Sequence, residues 1–479
     1  MAECKMLNFI LYVQKSLTFA AEITKMNYPM RKTYLSCALA LMVSIPTFAG
    51  GYLTNTNQHV SFLRMVARGA SVGSVDGVYY NPAGLTFLPT DGFHLSVNGQ
   101  SAYQTRNIAM TFPLFPEEGQ KRTYQGKASA PFIPSLQLAY KKGDWVLSGS
   151  FAVVGGGGKA SFSNGVGQFD ALAMGGIAKN PTIQALQQRL GKSKATDLYD
   201  LNSSMSGSQF IYGAQLGVSY RINNWLSAFA GGRMNYFHGG YEGFLSAKLK
   251  NEIPGVGGNE LAALELDCKQ TGWGITPIVG VNVKWNKWNL GVKYEFLTNL
   301  NLENKTVKSE FRQGGQGVEG TANPLNDYRD GVNTPSDIPA LFTAAVGYEI
   351  LPSLRASVEY HHFFDKQAGM AKDKQKVLKH GTHEYLAGVE WDVNKRFTLS
   401  AGYQRTNYGL SDDFQSDISF SCDSYSIGLG GKVNLNERLA LNVAYFWTNY
   451  DPYTVQKTKY TTVYDRTNKV FGLGVDYRF

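Results

Sequence analysis

The chain has 479 residues, 46 Lys and Arg against 37 Asp and Glu, a formal charge of +9, 52 glycines and only 17% charged residues. Length alone fits two or three globular domains, but so few charges and so many glycines and aromatics argue against soluble ones. No uninterrupted apolar run of about 18–20 residues follows residue 49, which excludes spanning helices, and no basic cluster points to nucleic acid.

Residues 1–49 read as an upstream extension plus an export signal that starts at Met30. Arg31 and Lys32 supply the positive end, Tyr34 to Ile45 a short apolar core, Pro46 its break, and Thr47-Phe48-Ala49 a small-x-small cleavage pattern. The mature chain is expected to begin near Gly50, with Met30 (or Met26) the true start. Cys4 and Cys37 fall in the removed part. Cys268 and Cys422 remain, beside expected outer loops, where an oxidising envelope permits a bridge without requiring one.

Residues 50–92 do not read as membrane strand. They hold Arg64, Arg68 and a small-residue run from Arg68 to Gly77, then Val78-Tyr79-Tyr80-Asn81-Pro82-Ala83-Gly84-Leu85. Asn81 suits the cap of a short helix whose first residue is Pro82, where the missing N–H costs nothing. Taken alone this is an ordinary capped turn. A segment this short and glycine-rich hardly folds by itself, but it fits inside a barrel lumen.

From residue 93 onward apolar and small or polar residues alternate, the two-residue period of a strand. Runs start near 93, 132, 145, 209, 225, 273, 288, 338, 353, 383, 397, 425, 439 and 471. The last places Phe471, Leu473, Val475, Tyr477 and Phe479 on one face and Gly472, Gly474, Asp476 and Arg478 on the other. A membrane chain without helical spans must close into a barrel, because lipid offers no partner to open backbone groups. The expected fold is therefore all-β, a transmembrane antiparallel β-barrel of about fourteen strands over 93–479, an even number as single-chain bacterial barrels require.

Short turns at 141–144, 221–224, 286–287, 351–353, 393–396 and 434–437 all fall at one end. Tyr140, Trp145, Tyr220, Trp225, Trp285, Trp288, Tyr348 and Trp391 gather beside them, as amphipathic rings do at a lipid–water boundary. Segments 108–130, 155–208, 246–270, 304–336 and 451–466 read as long outer loops.

A small-residue stretch ending in Tyr80-Asn81-Pro82-Ala83-Gly84-Leu85, just before the first of fourteen strands, resembles the FadL family of outer-membrane long-chain fatty-acid and hydrocarbon transporters. A terminal Phe479 resembles the insertion signal of outer-membrane barrels. The resemblance covers the mature chain in architecture, but its sequence-specific part is residues 68–85 and the last strand. It implies that 50–92 is a hatch in the lumen, with Asn81, Pro82, Ala83 and Gly84 as its signature. It also implies that outer loops capture hydrophobic solutes, and that these leave sideways through an opening at a kinked third strand. Expected partners are hydrophobic small molecules, fatty acids or hydrocarbons, in outer-membrane lipid and lipopolysaccharide, with the protein a monomer.

Two further features bear on that mechanism. The third strand, from Trp145 to Val154, runs into Gly155-Gly156-Gly157-Gly158, which offer no side chains to pack and permit geometries that disrupt a ladder. They read as a lateral gate or as a hinge at the base of the loop. In the second outer loop Pro181-Thr182 starts a helix with Ile183, Leu186 and Leu190 on one face, either a capture groove or a helix burying its own apolar side.

No nucleophile elbow, P-loop or dinucleotide fingerprint is present, so no enzyme activity and no cofactor is expected. His361 and His362 must point to opposite faces, and His380 and His383 lack an obvious third ligand, so no metal is expected. Inward Lys293, Glu295, Glu359, Glu390, Asp392 and Lys432 are expected to form a wet lumenal network. The rival readings are a general diffusion porin and a surface adhesin or structural barrel.

Overall fold

A computed structural model describes residues 52–319 and 323–479. The export signal, its cleavage site, Cys4 and Cys37 lie outside the described residues.

Fourteen strands form one closed antiparallel barrel: β1 (Gly92–Thr111), β2 (Lys121–Lys142), β3 (Trp145–Phe162), β4 (Tyr199–Arg221), β5 (Leu226–Leu249), β6 (Glu260–Trp285), β7 (Trp288–Glu295), β8 (Leu341–Leu351), β9 (Leu354–Phe363), β10 (His383–Asp392), β11 (Phe397–Asn407), β12 (Ser424–Asn434), β13 (Leu439–Tyr450) and β14 (Tyr460–Arg478). Each pairs with its neighbours in chain order, and β1 closes the ring on β14 from His94↔Arg478 to Thr111↔Thr461. Beyond β7, Asn301–Gln313 continues along β6.

The two faces of the wall differ as the alternation predicts. Leu136, Leu138, Tyr140, Leu216, Trp273 and Leu473 are exposed outward, while Gln137, Gln215, Ser219, Asn282 and Asn289 are buried inward. Each large apolar side chain left in water forgoes about 1.5–3 kcal/mol of burial, so such a wall is stable only in lipid. The eight predicted rings beside the short turns are all outward and exposed.

The expected turns are found in place, but three of the five expected outer loops, 108–130, 246–270 and 451–466, are mostly strand. Within 108–130 only Phe112–Gln120 leaves the ladder, β5 runs to Leu249, β6 starts at Glu260, and 453–457 forms a tight hairpin with β14. Above the bilayer both faces of a strand meet polar surroundings, so the apolar alternation that marks a strand fades while its hydrogen-bond ladder continues. That is why β2, β4 and β6 begin at 121, 199 and 260 rather than near 132, 209 and 273.

Candidate functional site

Residues 52–88 lie against the inward faces of the wall and are buried almost throughout, with Ser71–Ser74 the main exception. Two short helices organise them: α1 (Val60–Met65), capped by the His59 side chain, and α2 (Gly77–Tyr80). The capped turn forms as the sequence predicts. Pro82 opens a 3-10 helix, and the Asn81 side chain accepts from the Gly84 N–H at 3.2 Å. Asn81 also donates from Nδ2 to Asn282 Oδ1 at 2.7 Å and to the Ser71 carbonyl at 3.1 Å. Ala83 packs with Phe229 and Ile278, and a Cβ on Gly84 would collide with the Asn81 amide and Val72.

The wall reaches this segment with donors aimed at its open carbonyls, a necessary arrangement because a buried backbone acceptor without a partner costs about 1–3 kcal/mol. On the β2–β6 side, Ser219 and Ser227 donate to the Pro82 and Ala83 carbonyls at 2.7 Å, and Gln215 and Lys141 to Val78 and Leu88 at 2.8 Å. On the β7–β9 side, Asn289 donates to Ala70 and Lys293 to Tyr79, while Glu359 accepts the Gly69 N–H, each at 2.8 Å.

Opposite, the wall makes room instead. Gly388, Gly402 and Gly428 are register partners on β10, β11 and β12, and a Cβ on any of them would overlap the Met65 or Leu63 carbonyl. This inward glycine row is where α1 lies. Sequence reasoning records these glycines only as small alternating residues; their alignment depends on inter-strand register.

Charged groups lock the same region. Arg64 pairs with Glu390, which also takes Arg355 at 2.9 Å, and Arg68 pairs with Asp76 at 2.6 Å. Burial pushes the Asp76 carboxyl up, but Arg68, with His59 behind it, outweighs that and holds it at about 2. The inward charges expected as a wet network are therefore largely dry: Lys293, Glu295, Glu359 and Glu390 are buried against the segment or one another. Asp392 and Lys432 line an opening at the short-turn end, a cavity of about 1010 Å³.

The glycine run sits at a break in the wall. β2 and β3 pair up to Ser135↔Ala152 and resume at Ser129↔Lys159, so β2 residues 130–134 and β3 residues 153–158 have no ladder between them. Ala152 to Gly158 are all buried, so here β3 abandons alternation and turns inward. Gly156 and Gly157 have φ of +64° and +118°, which favours glycine. The N-terminal segment takes up the freed backbone: the Asn55 N–H donates to Val154 at 2.8 Å and its side chain to Gly156 at 2.7 Å. Outside the break stands Phe132, 70% exposed.

At the long-loop end, helices α3 (Gly167–Ile177) and α4 (Pro181–Arg189) lie over the mouth. Ile183 and Leu186 are buried in one apolar cluster with Val166, Met174, Leu198, Tyr241, Phe420 and Tyr464, and Leu190 packs at its edge. Asp417, from the β11–β12 loop, accepts the Gln168 N–H at 2.6 Å and the Tyr464 hydroxyl at 2.9 Å; burial pushes its carboxyl up to about 6. Cys268 and Cys422 share this cluster as free thiols. His361 points inward between Glu359 and Glu384, and His362 stacks outward on His383.

No known protein family and no curated protein matches the sequence. Solved structures do match. A FadL homologue of Pseudomonas aeruginosa aligns over 90% of this chain and 100% of its own, at TM-score 0.62 and 14% identity. A mutant of the monoaromatic hydrocarbon channel TodX aligns over 88% and 99%, at 0.54 and 13%. The Ralstonia pickettii toluene transporter TbuX aligns over 88% and 98%, at 0.50 and 12%. What the chain shares with them is the fold.

Proposed function

We propose that this barrel carries hydrophobic compounds passively across the outer membrane, as the neighbouring channels do for aromatic hydrocarbons, with long-chain fatty acids the expected cargo. Solute enters at the α3–α4 rim near Ile183, Leu186 and Leu190, passes into the lumen, and leaves sideways at Gly155–Gly158. Residues 50–92 act as the hatch, with Asn81, Pro82, Ala83 and Gly84 as its signature. The protein works as a monomer among lipid and lipopolysaccharide.

The observation that carries this reading is the pairing of an occupied lumen with a broken β2–β3 seam. A porin for polar solutes needs an open bore and gains nothing from a gap facing lipid. A greasy solute gains a path that never crosses water, and its burial drives the last step.

The test compares uptake of a labelled long-chain fatty acid with conductance in planar bilayers. Wild type should take up the acid and conduct little. Replacing Gly156 and Gly157 together with valine should abolish uptake while heat-modifiable mobility on gels, the mark of an inserted barrel, persists. A large resting conductance would identify a porin, and uptake unaffected by the double replacement would remove the gate.

A further inference from the structure

The cavity at the short-turn end has no role in that path. It lies beneath Arg64–Ser74, on the β7–β12 side, is lined by polar and apolar groups together, and opens at the short-turn end, which faces the periplasm when the long loops face outward. Seven cationic side chains line it, Arg64, Arg68, Lys284, Lys287, Arg355, Lys395 and Lys432, against Glu349, Glu390 and Asp392.

Two of the three acids are already engaged. Glu390 holds Arg64 and Arg355, and Asp392 takes Arg355 at 2.6 Å and the Thr398 hydroxyl at 2.7 Å. Lys432 stands two residues along β12 from Gly430, over which Arg64 packs, and interacts electrostatically with Glu390, Arg64, Asp476 and Asp392. Among the described residues no carboxylate lies within ion-pair distance of Lys432. The second observation concerns Arg64 itself. It is 2% exposed and gives Nη1 to Glu390 and Ser400, yet its Nε–H is buried with no acceptor among the described residues. A buried charge-bearing donor left unsatisfied is costly.

We infer that this vestibule is a binding site for a phosphate-type oxyanion, seated between Lys432 and the Arg64 guanidinium. A tetrahedral dianion accepts several N–H bonds at once, which suits a planar guanidinium beside a point-charge ammonium. It would compete with Glu390 for the Arg64 guanidinium and relieve the shortage of acceptors around that buried cation. The phosphate is either free in the periplasm or carried on a phospholipid headgroup of the inner leaflet, since the cavity's rim includes the boundary rings Trp288 and Trp391. The inference stands apart from the transport reading.

The experiment titrates the full chain in detergent with inorganic phosphate, at pH 7 and constant ionic strength, by calorimetry. Saturable binding is expected, weakened roughly tenfold or more in K432M and unchanged in K469M, whose lysine is on the outer wall. If only short-chain phosphatidylglycerol binds, with the same dependence on Lys432, the ligand is the lipid headgroup. Binding of neither, or equal affinity in K432M and K469M, overturns the site. Should K432M fail to insert, hydrogen exchange on the wild-type chain decides: phosphate must slow the amides of Arg64–Ser74, and unchanged rates overturn the proposal.

Discussion

The two sides of the barrel hold the same N-terminal segment in different ways. Toward β2–β6, neutral or singly charged side chains reach inward and bond the carbonyls of Val78, Pro82, Ala83 and Leu88. Toward β10–β12 the wall recedes into Gly388, Gly402 and Gly428, and ion pairs to Glu390 do the holding, from Arg64 and, at 3.7 Å, from Arg68, whose closer partner Asp76 lies in the segment itself. The first arrangement spreads modest bonds along the backbone and fills the space. The second concentrates strong interactions at Arg64 and Arg68 and leaves the vestibule open beside them. The segment is thus fastened continuously on one side and pinned at a few points on the other.

The ion pairs give the largest expected effect. D76N leaves Arg68 buried without its counter-charge, since Glu390 is 3.7 Å away and shared. Breaking a buried pair costs about 3–5 kcal/mol, so protease should cut the segment readily in D76N while the barrel stays intact. The pH sign follows from the depressed carboxyl. Its contribution is complete above the ordinary 3.8 and is lost as pH falls through about 2. Wild type should therefore keep its protection at pH 5 and approach the D76N pattern only near pH 2. Equal cleavage of both at pH 7 would show that the pinning is not ionic.

Next is the glycine row. In G402A the added methyl overlaps the Met65 carbonyl and the Val66 side chain, with backbone rather than a flexible tip in the way. Overpacking of this kind costs about 1–3 kcal/mol. Hydrogen exchange should speed up at Val60–Val66 and leave Val78–Leu88 unchanged, which separates the two sides directly. A close third is N55A, which keeps the backbone bond to Val154 but removes the amide donor to the Gly156 carbonyl, and the longer one to Val153, at about 1–2 kcal/mol. Its expected result is faster exchange across 153–158 and a raised basal permeability to hydrophobic dye; unchanged values would show that the seam closes without the segment.

Much of this was legible in the chain. Two-residue alternation, the short turns and their rings fix the wall because lipid demands an apolar outer face along its whole height. Asn81 and Pro82 announced their own cap, since capping is a local matter of three residues. What depended on register was hidden. Gly388, Gly402 and Gly428 are unremarkable until three strands align them, and Arg64 and Glu390 are 326 residues apart. The break at the seam left a partial trace: Pro131 and Pro134 in β2, which cannot donate to a ladder, lie opposite the four glycines of β3.

The smallest effect probes the continuous side. Ser219 and Ser227 each donate one neutral bond, worth about 0.5–1.5 kcal/mol, to the Pro82 and Ala83 carbonyls. In S219A or S227A alone the neighbouring bonds from Gln215 and Lys141 remain, so exchange at Gly84–Leu88 should rise only a few-fold. The double replacement removes both serine donors, leaving Ala83 only the longer side-chain bond from the Thr86 hydroxyl at 3.3 Å, and its effect should approach the sum of the singles, because each serine serves its own carbonyl. If either single replacement released the segment as fully as D76N does, the bonds would not be sharing the load, and the contrast between a side fastened along its length and one pinned at two arginines would fail.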